Sequence, residues 1–507
     1  MRRNLGIIRS GAVAGAFVLG ACGGEAPAPV APPPSPAASA SASASPPSAP
    51  DALGPKPDVP SPPPFTPPAP QVFASTNGIT VWLMERHDVP LVSCDIDVPS
   101  GASSDPKGKA GLAYVTTNML DEGAGTRGAL DLARAIDDLG ARIGTGSDAD
   151  SSTVSLTVLK RNLDKGFALF GDVVARPRFE AREWKRVKDL WANELRERDK
   201  DPEATARVVY RVAYFGPDHP YGHPWDGTVP SSKAISLEDA KSFYQASWRP
   251  DRATLVCVGD VTKAELQPLV DAAFKTWKAP ATPAPAPLVP AAPTGPWPKV
   301  ILVDRPDAPQ SVIAAVRTGL AASNPDEPVL WRDNEIIGGS FTSRLNADLR
   351  ESKGYTYGAG TRYSRSRGVG LLIASAAVRT DVTGDALGAL LSDMKTFAAQ
   401  GLTDEEVARS KSLPRGEVVN VYQSDEGIAG DLSRFASVGL PPDWEAKSSQ
   451  IRDAATKDDL NRLARQYYSV DDAIIVVVGP RSRVQSQLDK LGLPSAELRD
   501  AAGNVVK

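Results

Sequence analysis

The stretches ATLVCVGDV (253–261) and DAIIVVVGP (472–480) each hold an unbroken apolar run that closes on Val-Gly, and an amphipathic helical segment follows each. Such a run, bounded by a turn signal, reads as a strand. Laying Cys257-Val258-Gly259 on Val477-Val478-Gly479 relates two parts of the chain at an offset of 220 residues (477 − 257). The flanking pattern repeats as well. The first half opens with alternating strands at GITVWLM (78–84) and LVSCDIDV (91–98), and the second with KVILVD (299–304) and SVIAAV (311–316). Helical periodicity follows at 109–121 and 129–139 in the first half, and near 326–338 and 343–352 in the second. Strands come next at 141–159 and at 355–364 and 369–377, then paired helices at 162–175 and 180–199, and at 383–399 and 403–420. The proline-rich stretch APATPAPAPLVPAAPTGPWP (279–298) separates the halves.

Interspersed strands and helices with hairpin spacing predict an α+β fold rather than a doubly wound parallel sheet. The expected architecture is two homologous α+β domains, 72–278 and 299–495, each an antiparallel sheet with helices, and a tail at 496–507. Two such bowls facing one another would close as a clam-shell around a cavity.

Composition narrows the function. The chain has 507 residues, 46 prolines and a net charge of −4, with three histidines and three cysteines. No long basic run offers nucleic acid an electrostatic footprint. Arg2 and Arg3 precede the short apolar stretch GAVAGAFVLGA (11–21), which is too short to span a bilayer and reads as an export signal. Its end, Leu19-Gly20-Ala21-Cys22, resembles a bacterial lipobox, which implies cleavage before Cys22 and lipidation of that cysteine. With Gly23 next, outer-membrane attachment facing the periplasm is expected. Residues 23–71 are dominated by Pro, Ala and Ser and read as a disordered tether, with a reach on the order of 100–150 Å.

Four landmarks carry a family resemblance: GKAGLAYVTTNMLDEGAGTR (108–127), FEAREWKRVKDLWANELRERDKDP (179–202), HPYGHPWDG (219–227) and SRLNADLRESKGYTYG (343–358). In this order and spacing the chain resembles the pitrilysin/insulinase family of zinc peptidases, which includes mitochondrial processing peptidases and bacterial two-component relatives. Active members carry HxxEH on the first long helix, where two histidines bind zinc and the glutamate activates water. Here Tyr114 and Asn118 stand at the ligand positions and Thr117 at the base position. Glu194, 76 residues beyond Asn118 (194 − 118), matches the third ligand. Threonine has no useful basicity near neutral pH, and two imidazoles are lost. No catalytic residue and no metal are therefore expected in this chain alone, and Glu194 by itself reads as a charge on a solvated helix face. His219 and His223 are four apart, but Pro220 and Gly222 interrupt any helix between them. His87 reads as a loop residue.

The second half keeps more of the family pattern. Arg350 and Tyr357 match an arginine–tyrosine pair that members use to hold substrate near the scissile bond. Guanidinium and phenol both donate hydrogen bonds to a peptide carbonyl. The glycines of IIGGSFTS (336–343) either resemble the substrate-recognition loop of the mitochondrial enzyme's non-catalytic subunit or simply end a helix. The resemblance implies a zinc-free, substrate-binding subunit of a two-component metalloendopeptidase acting on peptides or unfolded proteins. Its partner would be a homologous HxxEH subunit carrying the zinc; a homodimer is the other arrangement. The rival reading is a peptide-binding or scaffolding envelope lipoprotein with no role in proteolysis. Cys94 and Cys257 lie on apolar strands and read as two separate buried thiols, although an oxidising compartment would permit a disulfide.

Overall fold

The computed structural model describes residues 65–506. The signal sequence, Cys22 and the tether up to residue 64 lie outside them. The first half contributes β1 (Gln71–Ala74), β2 (Thr80–Glu85), β3 (Leu91–Val98), a two-residue pair β4 (Gly123–Ala124) and β5 (Arg127–Gly128), β6 (Arg142–Ser147), β7 (Ser152–Leu159) and β8 (Thr254–Gly259). The second contributes β9 (Val300–Asp304), β10 (Gln310–Thr318), β11 (Thr356–Tyr363), β12 (Leu371–Arg379), β13 (Ile474–Gly479) and β14 (Glu497–Arg499). Twelve of these form two six-stranded sheets, β1-β2-β8-β3-β7-β6 and β11-β12-β10-β13-β9-β14, and β4 pairs with β5 alone. The sheets are mixed rather than wholly antiparallel, because β2 pairs with β8, β13 with β9 and β14 with β9 in parallel. The mixed order follows from the chain path: the closing strand of each half inserts between the half's first two long strands.

The duplication extends to the helices. Ala181–Arg198 and Asp404–Val421 are both 18 residues long, and Pro202–Phe215 and Asp425–Val438 are both 14. Each 14-residue helix starts at a side-chain cap, Asp201 accepting from the Glu203 and Ala204 amides and Ser424 from the Gly427 amide. These two helices then cross over. Pro202–Phe215 lays Val209, Tyr210 and Tyr214 on the second sheet, against Val312, Val476 and Val478. Asp425–Val438 lays Ile428, Leu432 and Phe435 on the first, against Trp82, Met84, Val256 and Val258. Each half's own helices cover the opposite face of its sheet. The closing strands β8 and β13 are therefore apolar without alternation because both faces are covered.

Three further expectations need correction. Cys94 and Cys257 are bonded, with Sγ atoms 2.13 Å and Cα atoms 4.2 Å apart. They stand directly opposite on β3 and β8, strands made neighbours only by the insertion of β8 beside β3. The segment 496–507 is no free tail, since β14 extends the second sheet beside β9. The tether reading of 65–71 also yields: Phe65 packs edge-on against Tyr422 at 5.5 Å, and Gln71 begins β1.

The seam between halves holds buried acids. On β3, Val92, Cys94 and Ile96 face the core, which turns Ser93, Asp95 and Asp97 toward the exchanged helix of the second half. Asp97 is 3% exposed and accepts from Thr153 Oγ1 at 2.6 Å and Ser433 Oγ at 2.5 Å. Burial, then repulsion from Asp95, pushes its carboxyl up to about 8, and burial with Glu426 pushes Asp95 up to about 7. Both carboxyls therefore stay protonated in the folded chain at pH values where the unfolded chain has lost those protons. Their stabilising contribution is complete below the ordinary value near 3.8 and is lost as pH rises through 7 to 8. Denaturant unfolding should show stability falling from about pH 4 to about pH 8 and levelling above, with a flatter fall in Asp97→Asn. Equal pH slopes in the two proteins would contradict this assignment.

Candidate functional site

The helix Leu112–Thr117 carries the positions of the degenerate motif. It is shorter than the periodicity at 109–121 predicts, because Gly111 enters it in the left-handed region (φ 87°). A Cβ on Gly111 would lie 2.7 Å from the Trp191 ring and 2.8 Å from Gly227 Cα, so glycine lets the helix start press onto Trp191. Asp105 closes this helix start by accepting from the Gly111 amide at 2.7 Å and the Ala113 amide at 2.8 Å. Burial nevertheless raises the Asp105 carboxyl to about 7. Gly111→Ala should lower stability by about 2–4 kcal/mol, measured by denaturant unfolding, from backbone strain plus overpacking; a loss below about 0.5 kcal/mol, the ordinary surface range, would contradict it.

Tyr114 donates from its hydroxyl to Glu194 Oε2 at 3.3 Å and shares a side-chain hydrogen bond with Asn118. Three of the four motif positions thus meet. The fourth does not: Thr117 is fully buried and donates back to the Ala113 carbonyl at 2.8 Å. Glu194 is solvent-accessible but more than a free surface charge, since its carboxylate is tied to the tyrosine. Partial burial raises the Glu194 carboxyl, the Tyr114 hydroxyl lowers it, and Asp226 raises it further. Burial, then the Glu194 charge, pushes the Tyr114 phenol well up, so it stays a neutral donor.

These donors do not fit zinc. Phenol, carboxamide and one carboxylate lack the imidazoles that give such sites their affinity, and the carboxylate already serves the phenol. No group of three His, Cys, Asp or Glu side chains suited to a metal occurs among the described residues. His219 spends both ring nitrogens on protein, Nε2 on the Ala291 carbonyl at 2.9 Å and Nδ1 on the Tyr221 amide at 3.0 Å. His223 is half-buried, and burial beside Arg211 lowers it to about 4, leaving a neutral ring. His87 bonds Asp260 Oδ1 at 2.6 Å, beyond the end of β2.

In the second half the backbone adopts π geometry over Glu335–Gly339 and again over Asn346–Ser352, a form that clusters at functional sites. Gly338 and Gly339 end the first of these, and a Cβ on Gly338 would run into Thr361 of β11. The glycines therefore close a helix against the sheet edge rather than form a free loop. Arg350 lies on the second π segment, with its guanidinium 4.2 Å over the ring of Phe341 and Nε 3.5 Å from Glu351. Tyr357 is 91% exposed on β11, inside a break in the β11–β12 register between Thr356 and Ala359. Asn346 Oδ1 accepts the Ala359 amide at 3.0 Å and pins that break to the helix bearing Arg350. The two halves together line a cavity of about 500 Å³, which includes Arg211 and Trp225 from the first and Trp331, Asn334 and Arg362 from the second.

Two family profiles match this chain: the insulinase family, peptidase family M16, over residues 80–216, and the peptidase M16 inactive domain over 234–413. The chain belongs to peptidase family M16. An uncharacterized zinc protease of Mycobacterium leprae is 26% identical over 387 residues, covering 76% of this chain and 86% of that one. The beta subunit of the mitochondrial-processing peptidase of Blastocladiella emersonii is 22% identical, over 82% and 89%. The crystal structure of a peptidase M16 inactive domain from Pseudomonas fluorescens superposes with a TM-score of 0.74 at 23% identity, covering 81% of this chain and 98% of that one. The M16 chain carries, beside its degenerate motif, aromatic residues that the motif spacing does not reveal. Tyr114 meets Trp225 at 5.4 Å and Trp191 at 6.4 Å between ring centres, and Trp191 Nε1 donates to the Asp226 carbonyl at 2.7 Å. Trp225 sits in an irregular loop where no periodicity marks it. Only its place within the HPYGHPWDG landmark could have drawn attention to it.

Proposed function

We propose that this chain is the zinc-free, substrate-binding subunit of a two-component M16 peptidase, holding extended peptides between its halves for a homologous HxxEH partner. The observation that carries the reading is an asymmetry. The hydrolytic positions are dismantled, with Thr117 turned back into its own helix, while Arg350 and Tyr357 stand accessible on elements braced by Asn346. Arg350 would donate to substrate carbonyls with its guanidinium plane set by Phe341. Tyr357 would donate from its phenol beside it. Metal and base would be the partner's. Pairing with a homologous chain is in keeping with the relative whose name makes it one subunit of a processing peptidase.

We place the chain in a bacterial envelope, lipidated at Cys22 and facing the periplasm from the outer membrane. The Cys94–Cys257 bond supports an oxidising compartment. No described helix is long and apolar enough to cross a membrane, so in this reading attachment rests on the lipid. The test is peptide hydrolysis by the chain alone, with added zinc, and mixed with an HxxEH homologue from the same cell. Turnover only in the mixture is expected; turnover by the chain alone would overturn the reading.

A further inference from the structure

Where an active member would hold a dication, this chain presents an acid and aromatic faces. Tyr114 and Trp225 meet edge to face at 5.4 Å, and Trp191 closes behind Tyr114 at 6.4 Å. Trp225 is 43% exposed and lines the cavity between the halves. Glu194 is accessible and bound by Tyr114 through one oxygen. The neighbouring Asp226 is taken by Arg198 at 2.6 Å, whereas the interactions acting on Glu194 come from Tyr114 and Asp226, neither of them a cation. A carboxylate held by a phenol that also meets an accessible indole, with no ion-pair partner among the described residues, is the composition of a site for an organic cation. Ring quadrupoles attract the charge, while the carboxylate fixes its direction.

We propose that Tyr114, Glu194 and Trp225 form a binding site for the protonated side chain of a basic peptide residue, so that an organic cation takes the place left by the metal. The identity of the ligand as part of a peptide rests on the function proposed above; the affinity for the cation does not. A lysine ammonium in the site would donate to the free lone pairs of Glu194 and lie against Trp225. The held peptide would then be selected for a basic residue at one position.

The test uses the purified full chain titrated with Nα-acetyl-lysine methylamide and with its norleucine counterpart, which has nearly the same shape and no charge. Heat of binding and tryptophan fluorescence are the readouts. The lysine probe should bind saturably and at least about tenfold more tightly than the norleucine probe. Glu194→Gln and Trp225→Ala should each weaken it about tenfold, and Trp225→Phe less, the range expected of a partly desolvated cation–aromatic contact with a carboxylate. Equal binding of the two probes, absence of saturation, or indifference to Glu194→Gln and Trp225→Ala would overturn the site. A lysine-free extended peptide separates the two claims. If it binds as well as a lysine-bearing one, the cation site fails and peptide binding stands. If the lysine probe binds while no peptide does, the cation site stands and the peptide reading fails.

Discussion

The Cys94→Ala/Cys257→Ala double variant is expected to lose about 5 kcal/mol of stability, the largest loss foreseen for this fold. The bridge joins residues 163 apart in sequence. In the chain-entropy account, a cross-link over so long a loop removes on the order of 5 kcal/mol of freedom from the unfolded chain. Both sulfurs are also fully buried in the first core, so the exchange to alanine leaves unfilled volume there. Denaturant unfolding of the oxidised protein and the double variant measures the difference, and adding a thiol reductant to the unfolded wild type should reproduce most of it. A difference under about 1 kcal/mol would mean that the bridge is not formed in the protein as purified.

The second large effect is on turnover. In the complex with a hydrolytic partner, Arg350→Ala should lower kcat by about 10²–10³-fold, the usual consequence of removing one charge-stabilising donor from a peptidase site. Tyr357→Phe keeps the ring and loses the hydroxyl, so a smaller fall is expected. Stability should hardly respond, because Tyr357 is 91% exposed and surface changes of this kind stay within about 0.5 kcal/mol. Steady-state kinetics of the complex beside unfolding of the isolated chain provides the check. Unchanged kcat in Arg350→Ala, at saturating partner, would place the substrate elsewhere.

Much of the fold was legible because the strands and the long helices bury apolar faces with strong local signals. The runs at β8 and β13 announced strands, and their 220-residue offset exposed the duplication. What covers them was not legible. The apolar face of Pro202–Phe215 packs on the second sheet, but its periodicity states only that some surface must receive it. The disulfide was hidden for a related reason. Cys257 becomes the neighbour of Cys94 only through the insertion of its strand between β2 and β3, and spacing along the chain carries no trace of that. In the site, Tyr114, Asn118 and Glu194, the positions that the motif spacing relates, meet through the Tyr114 hydroxyl. The spacing could not foresee that Thr117 would bond its own helix, or that Trp225 and Phe341, in irregular segments, would stand beside Tyr114 and Arg350.

The central claim is that this chain binds substrate for another chain's chemistry. Affinity isolation of the tagged, full-length protein from its native envelope, with mass spectrometry of the stoichiometric partners, tests it most directly. An equimolar homologue carrying HxxEH is expected, with the zinc of the complex matching that chain. Recovery of this chain only with itself, or only with unrelated envelope proteins, would contradict it.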